Sequence, residues 1–374
     1  MEFTEIEFPQ EDGLIYLNHA AVAPWPARTR DAIKAFAEEN VHSGARDYSK
    51  WVKRESQLRL QLKQLLNAPS VQDIALVKNT SEALSVVAFG LSWQAGDNIV
   101  TSTEEFPSNR IPWQALSREG VELREVGINN SAPEQALIDA MDSRTRLLTV
   151  SSVQYGSGRR LNLELLGQAC RQRQILFCVD AIQSIGAIDM DVQAIAADFV
   201  MADGHKWMLG PEGIAVFYST AEARERLRLY QYGWHMVENT DFNVREWEVA
   251  RSARRFECGS PNMLGIHGLS ASISLLLEIT PAVIEDKVLE NTRYLIELLS
   301  TIPGMHINTP DQRACHAGII NFTIDSVDLA ALQQRLLQQK VVCVYRGGGI
   351  RFSPHFYTAP DLLYKAVEIV KLSI

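Results

Sequence analysis

Between residues 70 and 220 the chain alternates short apolar runs with longer stretches of helical period. The runs predict strands at Ile74–Val77, Asn98–Thr101, Glu122–Val126, Leu147–Ser151, Ile175–Val179, Asp198–Met201 and Ile214–Tyr218. The intervals predict helices, among them Ser81–Leu91, Pro133–Met141 and Leu163–Arg173. Strand–helix alternation implies an α/β domain whose mostly parallel sheet is covered on both faces, with ligands at the carboxyl ends of its strands. The pattern then changes. Residues 263 to 300 predict two helices. From Pro303 to Ile374 the order is strand, strand, helix, strand, strand, helix, a small α+β domain.

A length of 374 residues agrees with two domains. The divisions expected are an N-terminal segment at 1–40, a large domain at 41–260, and connecting helices with a small domain at 261–374. Apolar residues at 46% and charged residues at 22% are ordinary for a soluble globular chain. A net charge of −9 argues against a nucleic-acid-binding role. The five cysteines (Cys170, Cys178, Cys258, Cys315 and Cys343) form no CxxC pair. That scatter suggests reduced thiols in a cytoplasmic protein and predicts no metal site. The acidic start, Met1 to Glu7, lacks the apolar stretch of a secretory signal, and no apolar run approaches the ~20 residues of a membrane span.

The chemistry concentrates at two strand ends. Lys206 lies between the apolar runs Phe199–Ala202 and Ile214–Tyr218, where an isolated ammonium is costly unless paired, neutralised or used covalently. Asp180 closes the apolar strand Ile175–Val179, and Gln183 follows three residues later. A strand-end acid followed by a strand-end lysine suits pyridoxal phosphate: the lysine forms a Schiff base and the acid keeps the pyridine nitrogen protonated. Each residue alone has a plainer reading: Asp180 as a helix cap, His205 as a packed histidine, Lys206 as a solvated cation, Gln183 as a helix surface residue. Asn79-Thr80-Ser81-Glu82 opens a helix after a strand. It offers backbone N–H groups and hydroxyls to a phosphate, and it equally reads as a capping box.

From Tyr16-Leu17-Asn18-His19-Ala20-Ala21 to the last helix, the chain resembles the class V aminotransferase family of pyridoxal-phosphate enzymes. That family includes cysteine desulfurases, isopenicillin N epimerase-like proteins and related lyases. The resemblance rests on Val179-Asp180-Ala181-Ile182-Gln183-Ser184, Asp203-Gly204-His205-Lys206-Trp207 and Phe256-Glu257-Cys258-Gly259-Ser260-Pro261-Asn262. It implies fold type I of these enzymes: a mixed, mostly parallel seven-stranded sheet, a small C-terminal α+β domain, and an N-terminal segment packed with that small domain.

The resemblance also implies roles. Lys206 carries pyridoxal 5'-phosphate and moves the α-proton, Asp180 pairs with the pyridinium, and Gln183 contacts the phenolate. His205, Thr80 and Ser81 hold the phosphate. Phe106 stacks on the ring where the desulfurases carry a histidine. Ser260 reaches the phosphate of a neighbouring subunit, so a homodimer is expected. Arg351, on a short strand after Gly347-Gly348-Gly349, clamps the substrate α-carboxylate, and Gln154 adds a second carboxylate contact.

Several assignments stay open. Asp203 stands where serine is common near the phosphate, and it reads as orienting His205 or another donor. His19 faces the substrate or caps the N-terminal segment. Arg346 reads as a contact for a distal substrate group or as a surface residue. The loops His42–Tyr48 and Tyr232–His235 are candidates for selecting the substrate side chain. The desulfurases place a persulfide-accepting cysteine on a longer loop before the carboxylate arginine. Here that stretch, Tyr345 to Ile350, is short and cysteine-free, and Cys343 reads as core.

The leading expectation is an aminotransferase acting on a small α-amino acid. The alternatives are a C–S β-lyase or desulfurase-like enzyme, an amino-acid epimerase, and a non-catalytic binding protein of the same fold. No nucleic-acid or membrane partner is expected.

Overall fold

The structure is a computed structural model and describes residues 2–239, 241, 243 and 245–374. Met1 of the N-terminal segment lies outside the described residues. Near the start, β1 (Ile15–Tyr16) is followed by helices Ala27–Ser43 and Tyr48–Leu65. The large domain then supplies β2 (Ile74–Val77), β3 (Asn98–Ser102), β4 (Glu122–Val126), β5 (Thr145–Ser151), β6 (Leu176–Asp180), β7 (Phe199–Asp203) and β8 (Ala215–Ser219). They form one seven-stranded sheet in the order β2-β8-β7-β6-β5-β3-β4. Only β8 runs against its neighbours, β2 and β7. The sheet is mostly parallel, as the alternating pattern predicts, and mixed, as the resemblance implies, each strand lying within two residues of its expected ends.

Successive side chains on these strands enter different cores, as a sheet covered on both faces requires. Val100, Leu148, Val150, Phe177, Val179, Val200 and Ala202 pack into one cluster. Ile99, Leu147, Leu176, Cys178, Phe199 and Met201 pack into the other. Helix Thr80–Gly90 starts where the Asn79 side chain accepts from Glu82 N at 2.8 Å. Helix Met263–Ile279 meets Pro281–Leu299 at an 83° bend. Thr280, with φ 79, turns the chain there and Pro281 opens the next helix.

The small domain holds β9 (Met305–Ile307), β10 (Ile320–Ile324), β11 (Val341–Val342), β12 (Val344–Arg346) and β13 (Gly349–Phe352). Four of these form an antiparallel sheet in the order β12-β13-β10-β9. The sequence predicted two strands between the last two helices, whereas three short ones occur. The chain breaks at Cys343, and β11 leaves the sheet to pair in parallel with β1, Ile15 opposite Val341. The N-terminal segment is thereby tied to the small domain. Helix Ala27–Ser43 within it packs instead on Met263–Ile279. All five cysteines are free thiols. Among the described residues, no single helix is long and apolar enough to cross a membrane.

Candidate active site

Asp180, Asp203 and Lys206 lie at the carboxyl ends of the parallel strands. Asp180 ends β6 beside Ser151 of β5, and Asp203 ends β7, three residues before Lys206. Close packing joins the two segments. Gly186, with φ 97, lies where a Cβ would stand 2.2 Å from Trp207 O, so only glycine lets the turn after Asp180 approach the lysine segment.

Asp180 is 2% exposed, and one carboxylate oxygen accepts from Ile182 N at 3.0 Å. Burial raises its pKa, with Glu105 adding to the rise and Lys206 opposing it. Lys206 is half-buried, and among the described residues no carboxylate lies within ion-pair distance of its Nζ. Nζ stands 5.8 Å from the centroid of the Phe106 ring. Burial lowers the Lys206 pKa, Asp180 opposes the shift, and Arg351 reinforces it.

At the start of helix Thr80–Gly90, Asp203 and Thr80 bond reciprocally. Thr80 N donates to Asp203 Oδ2 at 3.2 Å and Asp203 N to Thr80 Oγ1 at 3.1 Å. The other Asp203 oxygen lies 3.8 Å from His205 Nδ1, a buried atom without a hydrogen-bond partner. The helix start is therefore only partly on offer to an anion. Asp203 takes the Thr80 N–H, and Ser81 Oγ donates to Ser108 Oγ at 2.8 Å. The Thr80 hydroxyl hydrogen, the Ser81 N–H and the His205 ring remain.

Arg351 is brought in from the small domain. Its hairpin tip presses on the loop after β5: Gly347 has φ 64, and a Cβ there would lie 2.7 Å from Gly156 Cα. Arg351 is fully buried. Nη1 donates to Tyr155 O at 2.7 Å, while Nε and Nη2 have no partner. Burial, with the nearby Arg346 adding to it, lowers its pKa to about 9. A buried guanidinium without a counterion is expensive, so this one is poised for an anion.

Other expected residues have different settings. Gln183 Nε2 donates to Ala20 O at 3.1 Å and its Oε1 accepts from Trp207 Nε1 at 2.8 Å, leaving one amide hydrogen for a ligand. His19 has both ring nitrogens engaged within the protein. It is fully buried, with Nδ1 2.8 Å from Ser353 O and Nε2 2.6 Å from Tyr357 Oη, and it binds the N-terminal segment to the small domain. Burial lowers its pKa to about 4. His235 of the Tyr232–His235 loop sits against Glu55 and Glu257, 3.9 and 3.6 Å away. Ser260 is exposed on a surface cavity of about 240 Å³ shared with Lys78, Glu82, Gly213 and Cys258. Arg346 is exposed, and its charge acts on Arg351 and Lys206.

Glu105 escaped the sequence reading. It is 4% exposed and accepts from Ser151 N, Gln154 Nε2 and Asn109 Nδ2, each at 2.9 Å, and from Ser151 Oγ at 2.5 Å. Burial raises its pKa against the opposing pull of those donors. The only local signal was its place directly before Phe106; Glu104-Glu105 otherwise reads as a solvated acidic pair.

Residues 15–353 match the family model Aminotransferase class-V. The chain belongs to the class V aminotransferase family. This class V chain is 30% identical over 370 residues to a protein of Methanothermobacter thermautotrophicus named "Probable cysteine desulfurase", covering 93% of this chain and 91% of that one. It is 32% identical over 329 residues to the cysteine desulfurase of Klebsiella pneumoniae, covering 83% and 78%. Its fold matches the cystine C–S lyase C-DES, solved with its product cysteine persulfide, at TM-score 0.91 and 22% identity over 97% and 99% of the two chains. It also matches the apo cysteine desulfurase of Thermococcus onnurineus, at TM-score 0.88 and 23% identity over 99% and 97%.

The side chains fit pyridoxal phosphate. Lys206 supplies an amine shifted toward its neutral form, and Asp180 a sealed carboxylate with spare acceptor capacity. Phe106 supplies a ring face within reach of Lys206, and His205 an unpartnered nitrogen beside Asp203, which bonds the start of helix Thr80–Gly90.

Proposed function

We propose that this class V protein is a pyridoxal 5'-phosphate enzyme that grips a small α-amino acid by its carboxylate and breaks its Cα–H bond. Elimination at a Cβ–S bond is the outcome best supported. The observation that carries the reading is Arg351, a buried guanidinium with two unpartnered nitrogens, near enough to Lys206 to help lower its pKa. The relatives named as desulfurases, and the C–S lyase that shares the fold, support the sulfur chemistry. Transamination, the leading expectation from the sequence, would use the same residues, and its support is the family name alone.

When bound, the cofactor supplies an electron sink for a carbanion at Cα. Arg351 Nε and Nη2 are arranged to take both carboxylate oxygens, with Tyr155 O holding the third nitrogen and so the guanidinium plane. Burial leaves more of Lys206 neutral near pH 7 than an exposed lysine would be. That suits it to attack a carbonyl and then to accept the α-proton at Nζ. Asp180, sealed from water, would keep a ring nitrogen protonated through a charge-assisted hydrogen bond. When the α-proton passes to Lys206 and sulfur departs with its bonding pair, addition of water leaves a keto acid and ammonium.

A persulfide on the enzyme itself has little support. Cys343 is 3% exposed, burial pushes its thiol up to about 12, and the Tyr345–Ile350 stretch has no cysteine. A homodimer is supported by Ser260, which is exposed and outside the cleft of its own chain. Tyr230, Tyr232 and Trp247, more than half exposed, lie on the preceding loop. The test is to incubate holoenzyme with L-cysteine or L-cystine and follow pyruvate, reduced sulfur and the cofactor spectrum. Pyruvate with reduced sulfur is expected. Conversion to a pyridoxamine form without pyruvate would replace elimination by transamination.

A further inference from the structure

Between β7 and β8 the segment from Gly204 to Ile214, which carries Lys206, forms neither helix nor strand. Its buried carbonyls must therefore find partners one by one. His205 O accepts from Ala23 N at 2.8 Å, and Lys206 O from Leu209 N at 2.9 Å. Trp207 O lies 3.0 Å from His355 Nε2. The roles in that contact are fixed by a neighbour. Phe356 N donates to His355 Nδ1 at 2.8 Å, so the ring proton sits on Nε2 and is donated to the carbonyl. Burial, with His19 adding to it, holds the His355 pKa well below the ordinary 6.5, so the ring stays in this neutral form. His355 is fully buried. Asn291 of helix Pro281–Leu299 fixes the turn that carries it, donating to His355 O at 2.9 Å and to Thr358 O at 3.1 Å.

Trp207, also fully buried, is a joint between the domains. Its Nε1 donates to Gln183 Oε1 at 2.8 Å, and Gln183 Nε2 donates to Ala20 O. An indole N–H can only donate and a carbonyl can only accept, so the Gln183 amide is held in one orientation. Gly318, just before β10, meets the far edge of the indole: a Cβ there would stand 2.4 Å from Trp207 Cη2. His355 lies four residues after Arg351, and Trp207 directly follows Lys206. The His355–Trp207 hydrogen bond thus joins the short segment bearing the guanidinium to the short segment bearing the amine.

We propose that His355 is a positioning residue: by holding the Trp207 carbonyl it sets Lys206 in place relative to Arg351 and to the cofactor. The small domain is then part of the lysine's support, and the two cations keep their spacing before a ligand arrives. This rests on the reading of Lys206 as the cofactor's attachment point.

The test compares proteins loaded with pyridoxal phosphate: wild type, His355→Gln, which keeps a donor for Trp207 O, and His355→Leu, which has none. The visible absorbance of the bound cofactor is followed against pH, beside urea unfolding. His355→Leu should shift the spectral midpoint by about half to one pH unit, the span of one net hydrogen bond, and His355→Gln should bring it back toward wild type. With L-cysteine, His355→Leu should lower kcat for pyruvate roughly 10²-fold, the cost of a small misplacement of a reacting group, and change KM less. If His355→Leu does not fold, His355→Phe, which keeps a ring and lacks the donor, takes its place. A donor-less variant with lowered stability and an unshifted spectral midpoint would make His355 a stability residue and overturn the proposal. Equal shifts in the Gln and Leu variants would overturn it too. A wild type that makes no pyruvate would undo the sulfur-elimination reading and leave the spectra to decide His355. A cofactor band that survives Lys206→Ala would undo the attachment reading, and this proposal with it.

Discussion

Two arginines in this protein, one fully buried and one partly buried, have opposite surroundings. Arg59, on helix Tyr48–Leu65, is clasped: its two Nη atoms meet Glu257 at 2.6 Å, Nη2 also meets Glu55 at 2.6 Å, and Nη1 donates to Ile74 O. Burial alone would lower its pKa, but Glu257 and Glu55 outweigh that and raise it. Arg351 has a single backbone carbonyl, and burial lowers its pKa to about 9. The same residue type is a finished structural joint in one place and an open valence in the other. Lys206 belongs with Arg351, since it too is shifted toward its neutral form and has no carboxylate at contact distance. A missing counterion, and not burial by itself, separates the cations of the candidate site from structural ones here.

The comparison can be broken first at Arg59. Arg59→Met would leave Glu257 and Glu55 buried without their cation, and should cost about 3–5 kcal/mol in urea unfolding. Arg351→Met removes a charge that has no protein counterion, so its melting temperature should hold or rise. Its kcat/KM should fall roughly 10²- to 10³-fold in steady-state assays. A matching loss of stability in both variants would erase the distinction between the two sites.

The smallest effect concerns His19, which is held neutral. Its folded pKa of about 4 lies below the ordinary 6.5, so the unfolded chain binds the proton more readily. The stability it contributes is complete above 6.5 and is lost as pH falls toward 4. Melting temperatures across that window should fall more steeply for wild type than for His19→Gln. Parallel curves would show that His19 is not a source of the acid sensitivity.

Much of the cofactor end was legible because it is local. Asp180, Gln183, Asp203, His205 and Lys206 each follow an apolar strand, and strand ends in such sheets face the ligand. Strands of four or five buried residues, such as Ile74–Val77, announce themselves by composition. The rest depends on contacts between distant residues. Strand β11 has two residues, and its partner lies more than three hundred positions earlier, so the split at Cys343 leaves no periodic trace. Glu105 gains its meaning only when Asn109, Ser151 and Gln154 close around it. His19 was ambiguous until Ser353 and Tyr357 were seen to occupy both ring nitrogens.

Lys206 as the covalent attachment point is the claim on which the rest depends. The direct measurement is borohydride reduction of the pyridoxal-phosphate-loaded protein, followed by proteolysis and mass spectrometry of the peptides. One fixed cofactor per chain is expected, on the peptide containing Lys206, and none in Lys206→Ala. A cofactor fixed on another lysine, or none fixed at all, would contradict it.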